Sequence, residues 1–369
     1  MTANSFIQIV RHNCDISDAL DNGIYSICTL VLKLRNLYKW ENGLQPWQEP
    51  ESGELLDWIA DKEEYWESLS DETFQRLPVN SRDIDPFSLQ SANQLLSETG
   101  QVYGAGYGRS MKAVFFIAEI VEQKTVAGCP VMILGKETAR ELSSPFAMLQ
   151  DGIIYIRKEP LRFYFWDHIQ ETMPSCKSAM HHALDSYGVL KEDLSINRDL
   201  LVERFDRLID QEMDIFIYHE VGEYHENVLS SSTLQKIIHA FPDSAIELLC
   251  RSVKDILADT HESGLLSHIV AHQKKSSLGF YRVFLDGMRK MLCQDFVDGC
   301  ASFWKTANWD NIEKARQKCR ENTLTLADKL NLLSRKLDKE DPEALRGWAE
   351  REILAPLGLQ SPGSSEDAT

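Results

Sequence analysis

The stretch Tyr218-His219-Glu220-Val221-Gly222-Glu223-Tyr224-His225-Glu226 limits what this chain can fold into more than any other segment. The spacing of apolar residues predicts a helix over 196–229. At about 100° per residue, with Phe216 as zero, Phe205, Ile209 and Met213 fall within roughly 60° of it, so this sector should be buried. Glu212, His219, Glu220 and Glu223 occupy the same sector. Burying one unpaired carboxylate costs on the order of several kcal/mol, so a cluster on a core face needs a cation, basic partners or a water-filled cavity.

His219 and Glu223 stand one turn apart, where an imidazole and a carboxylate can reach one ion. Glu212 lies two turns earlier, and Glu220 and Glu226 border the face. A second pair, His268 and His272, shares a face with Leu265 and Ile269, and Asp259 and His261 lie just upstream. The expected metal ligands are therefore His219, Glu223, Glu212, His268 and His272, with iron or another divalent metal as cofactor. Over residues 219–272 the spacing resembles the middle helices of hemerythrin-type oxygen-binding bundles. That family ends on a His-x4-Asp helix, whereas no histidine follows His272 here. A carboxylate such as Asp286, Asp295 or Asp298 would have to replace it, with His181 or His182 on the first helix. Ferritin-like bundles use two Glu-x-x-His pairs, which this stretch lacks. Two other readings stand beside the metal. The acids can pair with Arg251, Arg282, Arg289 or Lys290 in a structural network, or the cluster can hold an organic ligand. Convergence of carboxyl and imidazole atoms on one point at ~2.0–2.2 Å marks a metal, and guanidinium groups among the acids mark a network.

Around this segment the pattern reads as mainly α. Helices are expected over 17–40 (capped by Ser17), 53–69, 86–100 and 111–122, and then over 168–187, 196–229, 232–240, 243–260, 264–274, 277–303, 309–336 and 342–355. β-branched or aromatic runs at 131–134, 152–156 and 161–166 read as short strands, with a helix over 137–149 between the first two. The expected fold is an N-terminal helical region (1–125) and a C-terminal helical bundle (168–356), joined by a small α/β insert (126–167). Residues 357–369 form an expected disordered tail.

Composition narrows the partners. A net charge of −18 argues against a general nucleic-acid binder and against adhesion to anionic membranes. The longest apolar runs, 24–34 and 114–120, fall short of the ~18–20 residues a membrane helix needs. No basic segment leads into an apolar one at the N-terminus, as a secretory signal would require. The eight cysteines are scattered without a Cys-x-x-Cys pair, which suits reduced, mostly buried thiols and a cytoplasmic setting.

A second candidate is the run Gly104-Ala105-Gly106-Tyr107-Gly108-Arg109-Ser110-Met111-Lys112. At the start of a helix, Gly104, Gly106, Gly108, Arg109 and Ser110 would form an anion nest for a phosphate or carboxylate. No Gly-Lys-Ser/Thr follows, so this is not a Walker A loop, and the alternative is a turn whose glycines let two helices pack closely. The aromatic runs 37–40, 46–47 and 163–166 read as packing.

The phrases Asn36-Leu37-Tyr38-Lys39-Trp40-Glu41, Gly106-Tyr107-Gly108-Arg109-Ser110 and Tyr218-His219-Glu220-x-Gly222-Glu223 resemble those of a family of soluble, mainly helical proteins from sulfate-reducing and related bacteria. No activity is attached to that family, so the resemblance implies a bacterial cytoplasmic setting and no mechanism. Two functions are carried forward. One is a helical metalloprotein, redox- or oxygen-linked if an enzyme. The other is a non-catalytic interaction protein whose acidic face recruits a basic protein partner. A small-molecule binder using the glycine run is a third.

Overall fold

Two dipeptides with positive φ at both residues, Ala127-Gly128 (48° and 85°) and Asp151-Gly152 (50° and 77°), decide the architecture of the first half of the chain. Such pairs form the tight turns whose twist matches antiparallel strands, so each folds its flanking runs into a hairpin. The computed structural model describes residues 3–79, 82–108, 111–285 and 287–359. The chain divides into two units, residues 1–171 with 205–209 and residues 172–204 with 210–369.

The first unit begins with α1 (Ala3–Asp21), α2 (Ile27–Glu41) and α3 (Ser52–Leu69), then a small hairpin of β1 (Leu77–Val79) and β2 (Arg82–Ile84) and the short α4 (Leu89–Leu96). Next come β3 (Gln101–Tyr107), β4 (Ala113–Val126), β5 (Cys129–Arg140), β6 (Ala147–Gln150), β7 (Ile153–Arg157) and α5 (Lys158–Gln170). The five strands form one sheet in the order β3-β4-β5-β7-β6, antiparallel except for β5 with β7. The sheet curls far enough for Gln150 on β6 to donate its amide to the Ala105 carbonyl on β3, the opposite end of the strand order.

The expected fold class, with a small α/β insert between helical parts, is corrected here. The described residues are 63% helical, but an α/β domain occupies residues 77–157 around this curled mixed sheet. The misreading has a physical origin. Ala113, Phe115 and Ile117 face one core and Val114, Phe116 and Ala118 face another, so the start of β4 is apolar at every position. A strand buried on both faces loses the alternation that separates it from a helix. The helix expected over 111–122 is therefore strand, and that over 137–149 is the end of β5, a loop and most of β6. Conversely, residues 161–166 lie in α5, where Leu161, Phe165 and Ile169 recur four apart on the buried side.

α1 packs on the sheet through Phe6, Val10 and Cys14. Ser17 is not a helix cap. Its buried hydroxyl donates to the Ala113 carbonyl at 2.5 Å, and α1 runs on to Asp21. The cap belongs to α2, where Ser26 accepts from the Thr29 amide.

The second unit contains α6 (Lys177–Asp185), α7 (Arg198–Glu212), α8 (Asp214–His225), α9 (Ser231–Ala240), α10 (Ala245–Thr260), α11 (Leu265–Ala271), α12 (Lys275–Phe284), α13 (Gly287–Leu292), α14 (Gln294–Thr306), α15 (Trp309–Lys336) and α16 (Pro342–Ala349). Residues 205–209 of α7 group with the first unit. Ile237 on α9 and Phe241 just after it, Leu249 and Val253 on α10, Leu330 and Leu333 on α15, and Leu345 on α16 share one core. The helix expected over 196–229 is two, parted at Met213. Cys293 and Cys319, 26 residues apart in sequence, are joined in a disulfide across α-carbons 5.4 Å apart. The remaining six cysteines form no disulfide among the described residues. The expected tail over 357–369 lies outside the described residues from 360 onward. Among the described residues no helix is long and apolar enough to cross a membrane.

Candidate metal centre

Gly222 sets the site by letting α8 and α10 touch. A Cβ at this position would stand 2.1 Å from the Ala258 carbonyl oxygen, closer than any side chain tolerates. The close approach brings Asp255 and Asp259, one turn apart on α10, against His219 and Glu223, one turn apart on α8.

His219 is the centre of the group. Its Nδ1 lies 2.7 Å from Asp259 Oδ1, and the other oxygen of Asp259 accepts the buried Tyr281 hydroxyl at 2.9 Å. This leaves Nε2 on the far side of the ring, 3.7 Å from Glu223 Oε1. Ligand atoms of His219, Glu223 and Asp255 all lie within 4.8 Å of one another. A carboxylate that orients an imidazole by one nitrogen and leaves the other free is the usual outer support of a metal-bound histidine. Two cations also reach the cluster. Lys254 Nζ lies 2.7 Å from Glu223 Oε2, and Arg289 NH1 lies 3.9 Å from Asp255 Oδ2.

The electrostatics follow from that crowding. Burial disfavours the charged imidazole of His219, but Asp259, Glu220 and Glu223 outweigh it and raise its pKa to about 10. Loss of hydration pushes the carboxyl of Asp255 up to about 6, with His219 and Arg289 pulling the other way. Glu220, 7% exposed, is pushed up by burial and by Glu223. Burial alone would lower Lys254, but Glu223 holds it above its usual value. The site thus holds four carboxylates near an imidazole, one ammonium and a more distant guanidinium.

Of the five expected ligands, His219 and Glu223 are brought together and the other three are placed elsewhere. Glu212 is 1% exposed and is bound by the Tyr187 and Ser277 hydroxyls at 2.6 Å each. The break at Met213 turned it off the face it shares with His219 on an unbroken wheel. His268 stacks on Tyr218 with ring centres 3.6 Å apart, and its Nε2 lies 3.7 Å from Asp214. The exposed His272 turns Nδ1 back to the His268 carbonyl at 3.0 Å. His261 accepts from the Ser263 amide instead of turning to the cluster. Asp255 was missed, although Asp255-x3-Asp259 repeats the one-turn spacing of His219-x3-Glu223 and was the signal available. Tyr281 gave none, since its role depends on α12 meeting α10. Asp286 lies outside the described residues.

The glycine run lies on a strand and not at the helix start expected for it. Gly104 and Gly106 lie within β3, Gly108 follows it, and Arg109 and Ser110 lie outside the described residues. The expected helix start, with its free amides, is replaced by β4. Gly104 pairs with Phe116, whose ring occupies the space of a Cβ, which would lie 2.1 Å from Cε1. The glycine is there to admit an aromatic ring to a curled sheet.

No curated protein and no solved structure matches the chain. Residues 5–157 match the N-terminal domain, and residues 162–352 the C-terminal domain, of a family of unknown function, DUF6866. The chain belongs to that family.

Proposed function

We propose that the second unit binds one divalent transition-metal ion through His219 Nε2 and the carboxylates of Glu223 and Asp255. The observation that carries this reading is the clamp on His219. Asp259, itself held by Tyr281, takes Nδ1 and leaves Nε2 directed at Glu223. Lys254 occupies only Oε2 of Glu223, so Oε1 remains for an ion. A mixed imidazole and carboxylate set suits Fe(II), Mn(II) or Zn(II). Three protein ligands leave positions for water or substrate, so the metal's identity separates oxygen-linked from hydrolytic chemistry.

A second reading rests on Lys254 and Arg289, which give the acids basic partners as a purely structural network would. Metal analysis of untagged protein purified without chelators, and again after anaerobic iron, manganese or zinc loading, decides between them. The metal reading expects near-stoichiometric metal in the wild type and its loss in His219→Ala and Glu223→Gln. Folded wild-type protein that stays metal-free after every loading establishes the network.

A further inference from the structure

The first unit carries an open pocket of about 530 Å³ lined in part by Arg140, Glu137, Trp40, Glu159, Asp15 and Lys62. That volume suits a small metabolite. Most charged groups around it already have partners. Asp15 and Glu41 share Lys62 at 3.0 Å each. Asp18 holds Lys112 at 2.9 Å, and Glu159 accepts from the Trp40 indole and the Glu137 amide.

Among the buried groups, Arg140 is incompletely partnered. It is 6% exposed, yet its Nε and NH1 are buried without an acceptor among the described residues. Its nearest carboxylate oxygen, Glu137 Oε2, is 3.8 Å from NH1, and Glu137 spends its other oxygen on Arg157 at 2.5 Å. The guanidinium carbon lies 5.2 Å from the Trp40 ring centre and 5.7 Å from that of Phe163. Glu137 Oε2 is likewise buried without a donor. Burial lowers the Arg140 guanidinium from its usual value, with Glu137 the chief opposing charge. Buried polar groups of this kind are costly unless something completes them.

One orphan donor and one orphan acceptor lie side by side on a cavity lined by five carboxylates and four cations. A multiply charged anion would add to the acidic excess, whereas a molecule carrying one oxyanion and one ammonium nitrogen answers both groups. We propose that this cavity is a binding site for a free α-amino acid, its carboxylate on the Arg140 fork and its ammonium on Glu137. The planar guanidinium suits a carboxylate in two parallel hydrogen bonds, and the α-ammonium lies within one residue's length of that carboxylate. Trp40 forms the apolar wall beside it.

The test is calorimetric titration and thermal shift of the full chain with each standard L-amino acid. As controls, the deaminated acid of any binder and inorganic phosphate are titrated alongside. At least one amino acid should bind saturably and raise the melting temperature, and its deaminated acid should bind at least about tenfold more weakly. Arg140→Gln should weaken binding by about thirtyfold or more. Should that variant fail to fold, Arg140→Lys keeps the charge, loses the fork and should still lose about tenfold. The assignment is overturned if no amino acid saturates at millimolar concentration, or if phosphate or the deaminated acid binds equally well. Undiminished binding to a folded Arg140 variant overturns it too.

Discussion

The two units bury charge in opposite ways. In the first, the most buried acids and bases bind backbone groups as well as one another. Arg157 bridges Glu137 and the Pro145 carbonyl, and Asp18 takes both Lys112 and the Leu142 amide. Beside its cavity a donor and an acceptor are both left over, the Arg140 guanidinium and Glu137 Oε2. In the second, four carboxylates crowd one imidazole across two helices, and what is left over is acceptor capacity. A donor and an acceptor left side by side call for a zwitterion, and a surplus of acceptors for a cation. The kind of ligand follows from the sign of what the fold leaves unmatched.

The largest expected effect tests the matched side. Lys112 and Asp18 are each 2% exposed at the side chain, so Lys112→Met leaves a buried carboxylate without its ion. Denaturant unfolding should show the first unit destabilised by about 3–5 kcal/mol. A loss below about 1 kcal/mol, as for an exposed pair, would break the contrast.

On the unmatched side, Asp259→Asn should leave the fold intact and weaken metal affinity by about 10- to 100-fold, because it supports the ligand without touching the ion. Competition against a chelating dye measures this. A variant that melts early and binds metal unchanged would mark Asp259 as structural only. Gly222→Ala asks whether helix contact sets the cluster. With the Ala258 oxygen 2.1 Å from the added methyl, the second unit should lose about 1–3 kcal/mol in thermal unfolding. An unchanged melt would show that the helices are free to move apart.

The smallest effect is one of pH. Asp214 is held down to about 2, since Lys274, 2.6 Å away, and His268 outweigh the burial that would raise it. The folded state therefore favours the ionised form more than the unfolded state does. Its stabilisation is complete above about pH 4 and is lost as pH falls toward 2, amounting to about 1 kcal/mol after screening at a third-exposed site. Asp214→Asn should flatten the stability curve over that window, and an unaltered acid limb would show the pair to be inert.

Much of the second unit was legible because its helices bury one face. The helix over 309–336 follows directly from the spacing of Ile312, Cys319, Leu326, Leu330 and Leu333. The first unit hid its sheet because β4 is buried on both sides, although Asp151-Gly152 marked a turn between the expected helix over 137–149 and the strand expected over 152–156. At the site, His219 and Glu223 were visible as a one-turn pair. His268 and His272 have the same spacing but sit on a seven-residue helix whose histidines turn to Tyr218 and to its own backbone. Spacing reports which residues share a face. It does not report what that face meets, so Asp255 and Tyr281 became visible only in the fold.

The most direct test is anomalous diffraction from crystals of the full chain loaded with zinc or iron. The account predicts a single strong peak about 2.0–2.2 Å from His219 Nε2 and from one oxygen each of Glu223 and Asp255, with Asp259 still on Nδ1. A loaded crystal with no peak there, and with Lys254 and Arg289 closed on the carboxylates, would contradict it.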